Sequence, residues 1–380
     1  MNQPKDIVIL AAGRLPQGRY GGSLAGQGAV ALGLAAIQGL RQDPALPAPT
    51  RFLWGMARSH SQGMNPARTL ALKADCAPAT AAFTVNMACG SSLQALILAT
   101  QYLPSAASGP VLVGGSEAMS DTPHLLPGLR WGFRQGHRSL ADVMELDGLR
   151  CPVTGLLMGE TVERLARKRG VTRPEADAWA AEGHHRAAQA DFSQEHLQLP
   201  QLQTDECIRP SVTSEQLAQL EPVFEARGQI TAGNASALAD GAAALLVARR
   251  DQAGDTRPLA RILGWAEAGV SPEDMGEAPV PAVRRLLDEQ GLGVQDIALW
   301  ELNEAFSAQL LVCQRQLHLP LERLNIAGSG VALGHPIGAT GARIVCTLVH
   351  QLRLRGGGLG VATLGIGGGL GLALLIETEG

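Results

Sequence analysis

The sequence predicts an α/β protein in which one unit of sheet and helices is built twice, and three observations predict it. The first 120 residues alternate short apolar strands with helical stretches, an order that yields a mostly parallel sheet with helices on both faces. The last third repeats that order of elements, with little residue identity between the copies. The 380 residues are 46% hydrophobic and 17% charged with a formal net charge of -4, which is chain enough for two or three domains.

Taken in order, the chain opens with an apolar strand over residues 7–10. Residues 21–40 carry Ala, Leu and Ile at helical spacing, and the Pro-rich residues 43–49 are a loop. A short strand follows at 52–55, and the loop 62–68 starts a helix that runs to about Ala74. A β-branched run then enters Met87-Ala88-Cys89-Gly90-Ser91-Ser92, after which the apolar residues 93–99 read as a buried helix that stops near Pro104. The strand 111–115 ends in Ser116-Glu117-Ala118-Met119-Ser120.

From about Asp121 the composition shifts toward Pro, charge and His, with amphipathic helices over 160–169 and 174–190. Residues 121–233 are therefore expected to be an inserted loop domain lying over the sheet. Small-residue packing resumes at 231–244, before a strand at 245–248. The second copy carries a strand at 297–301, a helix at 303–317, the turn Gly334-His335-Pro336, a helix at 339–354 and closing strands at 359–364 and 370–376. The expected domains are 1–120 plus 234–259, the insert 121–233, and 260–380.

Several function classes are excluded on the same grounds. No basic stripe points to nucleic acid, and no apolar run is long enough to span a bilayer. Residues 1–10 enter the first strand without the charged start and cleavage site of a secretion signal, so a cytoplasmic protein is expected. The six cysteines (Cys76, Cys89, Cys151, Cys207, Cys313, Cys346) are scattered with no C-x-x-C pair, which argues against zinc, any other metal site, or a disulfide framework.

Cys89 stands out because it lies between a strand end and a helix start. Unpaired N–H groups and the helix dipole there favour the thiolate, the form that attacks carbonyl carbon. Small neighbours Gly90, Ser91 and Ser92 leave a substrate room to approach. His335, in a Gly-rich turn, is a candidate general base. His184 and His185 lie on the polar side of a predicted helix and are expected to be solvated, as are the loop arginines Arg209 and Arg227.

These motifs resemble those of the thiolase family: Asn86-x-x-Cys89-Gly90-Ser91, residues 231–244, Asn303-Glu304-Ala305-Phe306, and Gly328-Ser329-Gly330-x-x-Leu333-Gly334-His335-Pro336-Ile337-Gly338-Ala339. The resemblance implies two duplicated βαβαβ-type domains with five-stranded mixed sheets and helices on both faces, plus the inserted loop domain. It implies that Cys89 carries an acyl group from a coenzyme A thioester and that His335 takes the thiol proton, with no permanently bound cofactor. The backbone N–H groups of Cys89 and Gly367 would form one oxyanion hole, and His335 with a water held by Asn303 the other. Leu149, Met158, Phe224, Ala232 and Ser236 would border the pantetheine arm of coenzyme A, with Phe306 closing the reactive end. A homodimer or homotetramer is implied, for which the apolar strand 111–115 is read as an edge.

Two departures bear on the reaction. The family's second cysteine, which shuttles the α-proton, aligns with Gly365, and Leu157 stands where biosynthetic members often carry histidine. Ala305 also removes the other position at which the family places that cysteine, and Cys313 and Cys346 lie two helical turns or more from the motifs. Three readings follow. One is an acyltransferase whose condensation or thiolysis is impaired or replaced, for example by a decarboxylative step. Another is a conventional thiolase engineered at position 365. The last is a catalytically silent partner subunit.

Overall fold

A computed structural model describes residues 6–105 and 108–379; residues 1–5, on which the reading of the N-terminus partly rested, lie outside them. In chain order the first half comprises β1 (Ile7–Arg14), α1 (Ala29–Leu40), β2 (Arg51–Gly55), α2 (Pro66–Lys73), β3 (Ala81–Val85), α3 (Ser91–Tyr102) and β4 (Val111–Ala118). After a long excursion that carries α4 (Met158–Arg169) and α5 (Arg173–Gln189), it closes with β5 (Ala239–Arg249). The second half comprises β6 (Ala260–Gly269), α6 (Pro279–Gln290), β7 (Leu299–Leu302), α7 (Ser307–Leu317), α8 (Thr340–Leu354), β8 (Gly357–Ile366) and β9 (Leu370–Glu379).

The duplication is visible strand by strand. In the first half β2 lies parallel to β3 and β4, β5 runs antiparallel to β4, and β1 antiparallel to β5. In the second half β8 lies parallel to β7, β9 antiparallel to β8, and β6 antiparallel to β9. The counterpart of β3 is a single parallel bridge between Trp300 and Leu324 at the outer edge. Val8 and Ile9 of β1 pair with Arg261 and Ala260 of β6, so the two sheets are continuous.

Helices α3 and α8 are common to both halves. Their apolar residues share one core with β1, β4 and β5 and with β8 and β9. Every residue of α8 through Leu352 is buried, which its run of Ile344, Val345, Cys346, Leu348 and Val349 permits. Helices α1 and α2 cover the outer face of the first sheet. The outer face of the second is covered by α6 and α7, and also by α4 and α5 from the excursion. The residues between β4 and β5 thus fold over the other half of the molecule.

Three expectations change. The strand 111–115 is not an edge: β4 is hydrogen-bonded on both sides, to β2 and β5, and fully buried. The free edge belongs to β3, whose Ala81 is exposed and whose Phe83 is half-buried. Residues 303–306 are extended rather than helical, because Asn303 N–H is taken by Thr363 O and Ser236 N–H reaches Ala305 O. Residues 21–28 are turns, with Gly21 and Gly26 at positive φ, so the first helix starts at Ala29.

Candidate active site

Cys89 sits on a tight turn between β3 and α3. Ala88, just before it, is held at φ +45°, a left-handed conformation that costs a non-glycine residue energy and persists only where neighbours over-determine it. They do so here. Asn86 Oδ1 accepts Ala88 N–H at 3.0 Å, and Ser91 Oγ accepts Met87 N–H at 2.9 Å while donating to Ala88 O at 2.7 Å. Cys89 is half-buried and packs against Ala57, Met119, Met144 and Ile337.

The helix terminus does not by itself favour a thiolate here. Burial pushes the Cys89 thiol up to about 11, against the opposing pull of a hydrogen bond from the Gly367 backbone and of the Arg58 cation. Desolvation outweighs the dipole because α3 begins only at Ser91, two residues past the sulfur.

His335 is fixed by three contacts. Its N–H donates to Ala237 O at 2.9 Å, its Nδ1 lies 2.6 Å from Thr340 Oγ1, and Thr340 Oγ1 donates to Pro336 O at 2.9 Å. The single hydroxyl proton of Thr340 is thereby committed to Pro336, so the hydroxyl accepts from Nδ1–H. Nε2 then carries the lone pair, and it has no hydrogen-bond partner among the described residues. Burial, with Arg343 and Arg58 adding to it, pushes this imidazole down to about 3.

The two turns are clamped together by Glu117 at the end of β4. Its carboxylate accepts Gly338 N–H at 2.8 Å from the histidine turn, and Ala57 and Arg58 N–H at 3.1 Å from the end of β2. Asn86 Nδ2 donates to Ala57 O at 3.0 Å, which ties the cysteine turn to the same segment. Below, Ser92 Oγ accepts Ala342 N–H at 2.9 Å, so the heads of α3 and α8 meet. Asn303 Oδ1 faces Arg343 at 3.5 Å, which leaves its buried Nδ2 as an uncommitted donor. Gly367 and Gly368 line a cavity of about 420 Å³ together with Asn86, Ala88, Gly148 and Met158.

The same architecture is found in known proteins. The thiolase N-terminal domain matches residues 7–251 and the thiolase C-terminal domain residues 256–378. An acetyl-CoA acetyltransferase of Pseudomonas aeruginosa is 43% identical, covering 99% of this chain and 100% of its own. The chain belongs to the thiolase family. Among solved structures, human mitochondrial 3-ketoacyl-CoA thiolase in complex with CoA superposes with a TM-score of 0.95 at 35% identity, covering 99% of both chains. An acetyl-CoA acetyltransferase of Bacillus anthracis gives 0.93 at 37% identity over 98% of each.

Within this thiolase fold the remaining candidates fall into two groups. Leu149 packs in the apolar cluster around Cys89, and Met158 faces Gly367, where an added Cβ would lie 3.3 Å from its sulfur. Phe224 packs on Gly159, which follows Met158, where an added Cβ would meet its ring at 2.0 Å. Ser236 N–H donates to Ala305 O, and Ala235 bridges to Phe306, which places 232–236 against the Asn303 motif; Ala232 itself is exposed. Cys313 and Cys346 are buried away from this site, their thiols turned to Gly276 O and Gly13 O.

His184 is a correction. It is 2% exposed, its Nδ1 accepts Arg209 N–H at 3.1 Å, and burial holds its imidazole down at about 4. The helical face that seemed polar is covered by the 207–212 loop; Arg209 and Arg227 are exposed as expected. Sequence reasoning missed Thr340, Glu117 and Arg58. The threonine one turn past a motif histidine was the signal available for Thr340, whereas nothing local marked the others.

Proposed function

We propose that this chain is an acyl-CoA C-acyltransferase working through an S-acyl intermediate on Cys89. The observation that carries the reading is that Glu117, Asn86 and Ser92 clamp the His335 turn to the Cys89 turn, with the His335 Nε2 lone pair uncommitted among the described residues. Because both groups are neutral at rest, proton transfer from sulfur to Nε2 accompanies attack of the sulfur on the thioester carbonyl. The C–S bond to coenzyme A then breaks, and its thiolate recovers the proton from His335. The N–H groups of Cys89 and Gly367 stabilise one developing oxyanion, and His335, once its Nε2 carries the thiol proton, serves the other carbonyl together with a water held by Asn303. Leu149, Met158, Phe224, Ala232, Ser236 and Phe306 border the pantetheine arm, with 121–233 as the coenzyme A-binding insert between the domains 1–120 plus 234–259 and 260–380. The chain assembles as a homodimer or homotetramer, with the free β3 edge as a contact between subunits.

The second half-reaction is where this chain departs from the motif pattern that the family resemblance implies. Gly365 supplies no group to move an α-proton, so thiolysis and Claisen condensation are slowed while acylation of Cys89 survives. A decarboxylative condensation needs no such group, since loss of carbon dioxide makes the carbanion. Incubation with acetyl-CoA followed by mass spectrometry tests the reading: acetylated Cys89 with little acetoacetyl-CoA turnover is expected. Absence of any label would leave the silent-subunit reading.

A further inference from the structure

Arg58 is 4% exposed, yet none of its three guanidinium nitrogens has a hydrogen-bond partner among the described residues. A buried cation in that state is costly unless something else supplies the acceptors. The carboxylates around it are engaged elsewhere. Glu117 spends its oxygens on the backbone N–H groups of Ala57, Arg58 and Gly338, Glu145 is paired with Arg150, and Asp147 with His60.

The guanidinium lies against Gly148, where an added Cβ would stand 2.1 Å from Nη2, so only glycine leaves it this space. Gly148 and both chain neighbours of Arg58, Ala57 and Ser59, line the cavity of about 420 Å³ that also holds Ala88 and Gly367. Ala57 and Leu149 further belong to the apolar cluster on which Cys89 packs. A forked, always-charged donor set behind Ala57 and Gly148, at the edge of a cavity that also carries Ser59, Asn86 and the already paired His60, Asp147 and Arg150, suits a group that takes two donors at once, a carboxylate.

We infer that Arg58 receives a carboxylate at the far end of the acyl group, so that the preferred acyl donor is a coenzyme A thioester of a short dicarboxylic acid. This rests on the proposed acylation of Cys89 and names the acyl class it takes. The cation also opposes the rise of the Cys89 thiol, so a loss of reactivity alone does not identify the role. A ratio of substrates does.

The test compares succinyl-CoA with butyryl-CoA, equal in length, by the rate at which each labels Cys89. The native protein should favour succinyl-CoA, and the preference should fall by about tenfold to a hundredfold in Arg58→Gln and less in Arg58→Lys. A native ratio near one, or a ratio untouched by Arg58→Gln, overturns the assignment. Equal loss of both substrates does so too, because it marks a cation that merely balances Glu117. Should neither thioester label Cys89, acyl transfer itself fails and the assignment is decided by alkylation. Iodoacetate must then outpace iodoacetamide by a ratio that collapses in Arg58→Gln, and an unchanged ratio refutes it.

Discussion

At the scale of single residues the chemistry depends on where one proton sits. Thr340 determines it, since its hydroxyl donates to Pro336 O and must accept from His335 Nδ1. Thr340→Val is expected to lower the rate of Cys89 acylation about tenfold or more. That is less than the ~10²–10⁴-fold of losing the base itself, and stopped-flow acylation would measure it. With the thiol at about 11 and the imidazole at about 3, the neutral pair dominates everywhere between those values. Acylation should accordingly be flat from pH 5 to 9. Alkylation by iodoacetamide in a His335→Gln variant, which consumes thiolate, should instead climb about tenfold per pH unit from 7 to 10 with no plateau near the ordinary cysteine value. At Gly365 an added Cβ would lie 3.1 Å from Met275 O, so Gly365→Cys fits after a shift of a few tenths of an ångström. It should raise thiolysis by a sizeable part of the ~10²–10⁴-fold that acid–base help provides, and an assay showing no gain would remove that account of position 365.

Among the elements, the crossing of α3 and α8 holds the two halves of the site in register. An added Cβ at Gly341 would lie 2.4 Å from Leu93 N, so the helices touch backbone to backbone there. Gly341→Ala should cost about 1–3 kcal/mol by overpacking, read as a lower urea midpoint. It should also slow acylation, because Thr340, which holds His335 Nδ1, heads the displaced helix. The Cys89 element was legible in the sequence because its signals are local: a β-branched strand, a small-residue turn and an apolar helix adjacent in the chain. The Asn303 segment was placed but misread as helix, since the backbone partners of Asn303 and Ala305, Thr363 and Ser236, lie 60 and 69 residues away. The burial of His184 and of β4 escaped for the same reason: the covering loop and the flanking strand β5 are remote in sequence.

For the whole molecule, the excursion is stapled to β1 by a buried ion cluster. Arg14 meets Glu195 and lies 2.7 Å from Asp205, with all three side chains at 0% exposure. Arg14→Leu would leave Glu195 buried without its cation and Asp205 with His196 alone, at about 3–5 kcal/mol, visible as a lowered thermal midpoint. Burial alone would raise the Asp205 carboxyl, but Arg14 and His196 hold it well below the usual carboxylate range. A depressed folded value means that this stability is complete above pH ~3.9 and drains as pH falls below it. Acid titration followed by circular dichroism should show the native protein losing stability in that window, and Arg14→Leu losing less. For the assembly proposed through the free edge of β3, a charge introduced at Phe83→Lys should shift the protein toward monomer in sedimentation, whereas Val111→Ala in the interior strand should not.

What the sequence determined by itself was whatever depends on neighbours in the chain: the alternation of elements, its repetition, the Cys89 turn, and the motifs that mark His335 and Asn303. The tertiary structure alone decided protonation and burial. A thiol at about 11, an imidazole with its lone pair outward and a guanidinium without a hydrogen-bond partner among the described residues are set by segments that meet only after folding. The physical reason is that desolvation and hydrogen-bond satisfaction depend on everything within a few ångströms of an atom, and most of that comes from elsewhere in the chain.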